Sequence, residues 1–328
     1  MRPMVKSPAA FADRRRFGAV LILGWMALGA AGIGYARIKD IPGGAAWPVL
    51  AAFLTAYPFY LVPAFPALRS YFSGMRLPGW LAASALLPYL VACLGGVRFQ
   101  WSAVGLLAAL ALALGVWFIV LPRSPAADIA FLALIPCVLL GGYLNRIYLP
   151  VYPRLKDVVF LGHVALIQMA VMALLVERRV PDPGYGFLPN RADWRIGVMH
   201  FLYFVPAGLP LALLLNMVHF AKPAQWWLMV PSFFGFLWTV ALSEEFFIWG
   251  VLQGWLRGWM GQAAAMIGAS LTFGLIHISF RGFPNWRWVL LAAVLGWFCG
   301  RARNRAGSIR AGMVTHALVF ATWRAFFG

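Results

Sequence analysis

Two carboxylates stand side by side at Glu244 and Glu245, inside the otherwise apolar run ALSEEFFIWG at residues 241–250. An ionised side chain at the centre of a hydrocarbon layer costs about 2.5–3.5 kcal/mol on insertion scales, so such groups call for a functional explanation. Adjacent carboxylates also repel each other, which requires at least one to be protonated or hydrogen-bonded. The remaining acids are elsewhere: Asp13, Asp40, Asp157, Glu177, Asp182 and Asp193 fall in termini or loops, and Asp128 at the edge of an apolar run. Of the five histidines, His277 and His316 lie in apolar runs that follow the glutamates in the same C-terminal half. His163 and His200 read as hydrogen-bonded packing residues, and His219 falls in a loop. A carboxylate with two imidazoles is a hydrolytic set: a base for water and donors for a developing oxyanion. The same ligands suit a zinc ion, and spacing alone does not separate the two. The plainer alternative is a helix break near Ser243 that places both acids at a helix N-terminus.

The elements that must position these groups are apolar helices. The chain is 63% hydrophobic and 11% charged, with a mean hydropathy of +0.81. A soluble domain is nearer a quarter charged. Runs long enough to cross a hydrocarbon core of about 30 Å recur along the whole length, and none alternates with the period that a membrane barrel needs. The expected fold is all-α and polytopic, with eleven spans near 17–36, 47–68, 78–97, 103–121, 126–144, 158–176, 196–215, 226–256, 262–280, 286–300 and 309–327. A C-terminal helical bundle would carry the intramembrane site. At about 1.5 Å per helical residue, Glu244 lies about 18 Å, His277 about 22 Å and His316 about 10 Å from the cytoplasmic ends of their spans, close enough to meet in one layer.

The net charge of +18 comes from 27 Lys and Arg against 9 Asp and Glu. These cations are spread through short segments between apolar runs, so they read as a topology signal and not as a nucleic-acid surface. With the N-terminus cytoplasmic, 17 of them fall on the cytoplasmic side, including Arg14, Arg15, Arg16, Arg301, Arg303 and Arg305. The RRRF motif at 14–17 resembles part of an export signal, but ten further apolar runs favour an uncleaved first span. Cys93, Cys137 and Cys299 lie in apolar runs and read as packing residues. Gly250, Gly254 and Gly258 form a ridge of the kind that lets membrane helices approach closely. The Pro- and Gly-rich stretch ERRVPDPGYGFLPNRADWR at 177–195 reads as a seam between a six-span and a five-span half.

SEEFFIWGVLQGWL at 243–256, LTFGLIHIS at 271–279 and GSIRAGMVTHALVF at 307–320 together resemble the CPBP family of intramembrane proteases, the CAAX prenyl protease-like and bacteriocin-processing enzymes of glutamic type. The resemblance covers residues 186–328, leaving 1–180 as an N-terminal region of unknown role. It implies that Glu244 is the general base, that His277, paired with Phe273, holds the same water, and that His316 stabilises the oxyanion. It makes Glu245 a supporting residue, normally paired with an arginine one turn on. Here that position is Trp249, and an asparagine position of the pattern is Phe320. Glu245 is then either neutral or satisfied by a hydroxyl such as that of Ser243, Ser270 or Thr272. Arg257, Arg281 and Arg310 lie too near span ends to serve as substitutes.

The reading that follows is an intramembrane endopeptidase of a bacterial inner (plasma) membrane. It would use a Glu-activated water on a membrane-bound peptide or protein substrate that the family resemblance allows to be lipidated. No cofactor is expected, with zinc disfavoured, and no nucleic-acid partner beside the lipid bilayer. The alternative is a non-proteolytic scaffold or immunity-type protein on the same fold, with degenerate positions at Trp249 and Phe320. A proton-coupled transporter would use buried Glu and His as a relay, but no internal repeat of the transporter kind is present.

Overall fold

The computed structural model describes residues 8–220 and 229–327. Arg2, Lys6 and the first three residues of the expected 226–256 span lie outside them. The described residues form helices, with only isolated bridges Val97–Pro150 and Phe220–Phe327 and no strand. The chain divides into two compact units, Met1–Arg179 and Val180–Gly328.

The first unit contains α1 (Pro8–Ile38), α2 (Gly43–Leu61), α3 (Pro66–Arg69), α4 (Arg76–Ala92), α5 (Trp101–Val120), α6 (Pro125–Leu140), α7 (Tyr143–Ile147) and α8 (Phe160–Met172). α8 continues into a π-helical turn, Ala173–Arg178. It is the core of this unit, packing against α2, α4, α5 and α6. α6 starts where Ser124 accepts a bond from the Ala127 N–H and Pro125 takes a first-turn position that needs no donor. At the far end of α8, the Arg178 guanidinium grips Asp128 through two bonds of 2.6 and 2.7 Å. Asp128, 2% exposed, is thereby fully paired.

The second unit contains α9 (Arg191–Leu214), α10 (Met229–Phe236), α11 (Leu242–Glu245), α12 (Gln253–Met260), α13 (Gln262–Leu275), α14 (Trp286–Ala306) and α15 (Ile309–Phe326). α14 packs against α9, α13 and α15, and α15 also packs against α9 and α10. α9 begins with a reciprocal capping box: Asn190 accepts from the Asp193 N–H, and Asp193 from the Asn190 N–H, each at 2.9 Å. Asp193 also pairs with Arg310 at 3.0 Å, tying the start of α9 to the start of α15. Residues 182–188, expected as part of a seam, are anchored to this unit. The Arg303 guanidinium donates to Asp182 O, the Trp238 indole to Phe187 O, and the Ser308 hydroxyl to Gly184 O.

The expectation of eleven spans is not met. Among the described residues, six stretches are long and apolar enough to cross a membrane: Phe11–Ile38, Gly43–Ala64, Trp101–Val120, Pro153–Arg178, Arg191–Leu214 and Met229–Met260. α4, α6 and α13 fall short, at 17, 16 and 14 residues. α13 stops at Leu275 because His277, Ser279, Arg281, Gly282 and Pro284 follow in a turn, with Arg281 at φ 55°. α14 and α15 have the length, but arginines at both ends (Arg287 with Arg301, Arg303 and Arg305; Arg310 with Arg324) dilute their apolar character. A hydrophobic run in sequence therefore overcounts wherever a polar turn or a helix end falls within it.

Candidate active site

Glu244 and Glu245 lie in one continuous helical stretch, Met229–Met260, so a break at Ser243 does not occur. The stretch is nonetheless irregular: π-helical segments Leu237–Ala241 and Phe246–Leu252 flank the short α11 that bears both acids. Such wide turns are uncommon and frequently mark functional sites, because the extra residue rotates side chains out of the regular register. Here the glutamates diverge. Glu244 keeps 25% side-chain exposure, whereas Glu245 has none.

His316, on α15, sits between them. Its Nε2 is 3.9 Å from Glu244 Oε2, and its Nδ1 is 3.3 Å from Glu245 Oε1. Neither approach has hydrogen-bonding alignment, so Glu244 Oε2, both Glu245 oxygens and His316 Nδ1 are buried without such partners. The ring is held by the edges of Phe236, at 5.0 Å between centroids, and Phe273, at 5.4 Å. Phe320 stacks on Phe236 at 4.0 Å and 11°, extending this aromatic wall and offering no donor.

His277 lies in the turn just beyond α13, close enough to act electrostatically on both Glu244 and His316. Its Nδ1 is 2.8 Å from Phe273 O. A carbonyl only accepts, so Nδ1 carries the proton and Nε2 of the neutral ring is left as an acceptor. The sequence candidates Glu244, His277 and His316 thus come together, with Phe273 touching both imidazoles.

Trp249 occupies its position fully. Among the described residues it is the largest completely buried side chain, and its indole lies across two glycines of α14. A Cβ at Gly300 would fall 2.5 Å from Trp249 Cζ3, and one at Gly296 3.2 Å from Cζ2. The cradle is specific to a flat aromatic ring. Of the glycine ridge only Gly250 is a place of close approach, where a Cβ would meet Pro183 O at 3.0 Å and Ile309 at 3.4 Å, while Gly254 and Gly258 face open space.

The hydroxyls expected to satisfy Glu245 do not. Ser243 donates to Thr239 O and Val240 O, Ser270 to Met266 O, and Thr272 to Gly268 O, each to the preceding turn of its own helix. Two of the arginines are committed elsewhere too: Arg310 to Asp193 and Ser308, and Arg281 to the faces of Phe280 and Trp288. Glu245 instead faces two residues that sequence reasoning did not assign. One is Cys299 on α14, buried, whose sulfur lies within 4.8 Å of ligand atoms of Glu245 and His316. The other is Gly312 on α15, where a Cβ would fall 2.1 Å from Glu245 Oε2. No pattern marks a lone cysteine in an apolar run. Gly312, four residues before His316, was readable as a close-approach position on the same helix face.

Residues 225–322 match the family model described as Type II CAAX prenyl endopeptidase Rce1-like. The chain carries an Rce1-like domain. The match is consistent with membership of the CPBP family and contains all four polar groups of the cluster, Glu244, Glu245, His277 and His316. No curated protein and no solved structure matches the chain. The apolar spans and the similarity to a family of membrane proteases together make it an integral membrane protein.

Proposed function

We propose that the Rce1-like domain is an intramembrane endopeptidase in which Glu244 activates water. The observation that carries this reading is the asymmetry of the pair. Glu244 alone is part-exposed, and its carboxylate faces two imidazoles with no structural bond to satisfy. Glu244 takes a proton from water as the water oxygen attacks the scissile carbonyl, and returns that proton to the leaving amine. His277 Nε2 accepts a hydrogen bond from the same water, and Phe273 O fixes its ring. His316 Nε2–H stabilises the developing oxyanion. Zinc has no role in this water activation.

The substrate class is a membrane-associated peptide or protein, lipidated as the family description suggests, cut on the cytoplasmic side with the N-terminus cytoplasmic. The test is to compare the membrane proteomes of wild-type and Glu244→Gln cells. Uncleaved precursors should accumulate in the variant, with a fall in processing of about 10²–10⁴-fold. Wild-type processing in Glu244→Gln would sink the mechanism and leave a non-proteolytic role on the same fold.

A further inference from the structure

Glu245 presents a problem that the hydrolytic reading does not solve. A carboxylate with zero exposure sits in the domain core, and the helical position one turn on holds Trp249 instead of a cation. In its ionised form that carboxylate needs a counter-charge, because an uncompensated buried charge is among the most costly arrangements in a protein interior. The hydroxyls within sequence reach, and Arg281 and Arg310, are engaged elsewhere, as described above. What converges on Glu245 is a set of metal-ligand atoms: a carboxylate oxygen, Cys299 Sγ and a His316 nitrogen, all within 4.8 Å of one another. Both Glu245 oxygens and His316 Nδ1 are buried and without hydrogen-bond partners, and Nδ1 is 3.3 Å from Oε1.

We infer that Glu245, Cys299 and His316 Nδ1 form a buried zinc site. The donor set is the thiolate, imidazole and carboxylate mixture that zinc accepts. Ligand atoms around tetrahedral zinc lie roughly 3.5 Å apart, so small side-chain adjustments close the cluster around an ion. The charges balance: a divalent cation with one thiolate, one carboxylate and a neutral imidazole is neutral overall, as an apolar core demands. The metal supplies the positive charge that Trp249 does not. Gly312 is part of the same construction, because any side chain there would occupy the volume of the Glu245 carboxylate.

The ion is structural and separate from the attacking water, which belongs to the Glu244 side. It has one consequence for chemistry, and this step alone rests on the proposed hydrolysis. Coordination through Nδ1 places the ring proton on Nε2, the nitrogen 3.9 Å from Glu244 Oε2, and so makes His316 a donor there.

The experiment is metal analysis of the purified full-length protein in detergent, by plasma mass spectrometry and by replacement with cobalt(II). Wild type should hold about one zinc per chain, and the cobalt form should show a sulfur-to-metal charge-transfer band. Cys299→Ser should lose that band and at least about tenfold in metal affinity. Glu245→Gln, which keeps the side-chain shape, should lose metal likewise, whereas Glu244→Gln should retain it. A wild-type protein without stoichiometric metal overturns the site, as does undiminished binding in Cys299→Ser. Loss of metal in Glu244→Gln overturns it too, by moving the ion to the other face of His316. Proteolysis can fail in Glu244→Gln while metal content stands, so the two readings fall separately.

Discussion

The two units each bury carboxylates among apolar helices and treat them in opposite ways. In the first, Asp128 receives both arms of Arg178 at 2.6 and 2.7 Å, so this buried carboxylate has a counter-charge in good geometry. In the second, Glu244 and Glu245 sit beside His316 at 3.9 and 3.3 Å, with three of their four oxygens buried and unbonded. Asp193 shows that the second unit is able to satisfy an acid: it caps α9 and pairs with Arg310. The glutamates are therefore left open selectively. A completed ion pair holds helices together and has nothing left to react with; an incomplete cluster keeps its lone pairs for a water, a substrate or an ion.

That contrast breaks most sharply in a stability measurement. Asp128→Ala leaves Arg178 facing a buried site without its carboxylate, and should destabilise the protein by about 3 kcal/mol, read as a lowered thermal midpoint in detergent. Glu244→Gln removes a charge that has no partner to lose, and should cost less than about 1 kcal/mol while stopping hydrolysis. Equal losses in the two variants would mean that Glu244 is structural after all.

That the proposed residues lie together was legible in sequence, and what was missed has physical causes. Glu244, His277 and His316 stood out as candidates because ionisable groups are rare in apolar helices. The partner of Glu245 was not found, because a contact between α11 and α14 depends on helix rotation. The π-helical segments on either side of α11 shift that rotation, and no local pattern announces them. Cys299 was read as packing for the same reason: burial is common to inert and ligating cysteines, and only its neighbours tell them apart. Only six of the eleven expected spans have the helix length and hydropathy to cross a membrane among the described residues, because hydropathy registers apolar length but not where a helix ends. α13 ends at Leu275, just before the turn that carries His277.

Gly312→Ala sharpens the contrast on a smaller scale. The added methyl would lie 2.1 Å from Glu245 Oε2 and 3.2 Å from Cys299 O, between the carboxylate and the backbone that carries the thiol. One of them must move, at a cost of about 1–3 kcal/mol in thermal stability. Because the displaced group is a proposed ligand, zinc content should fall in parallel. A stable Gly312→Ala protein with full metal content would show that the carboxylate is not held against α15.

The smallest expected effect belongs to the residue that sequence placed nearest the pair. Ser243 precedes Glu244 directly, yet its hydroxyl bonds to Val240 O at 2.9 Å and Thr239 O at 3.1 Å, back along its own helix. Those carbonyls both lie within the π-helical turn Leu237–Ala241, where the widened ladder makes a side-chain donor useful. Ser243→Ala removes one such bond from a hydroxyl that contributes nothing to either carboxylate, and should change stability by about 0.5–1 kcal/mol. Processing and zinc content should both stay at wild-type levels. A tenfold loss of processing without unfolding would place the hydroxyl on Glu244 or Glu245 during turnover. The pair would then be satisfied through its own helix, and its contrast with Asp128 would narrow to a difference in partner and not in kind.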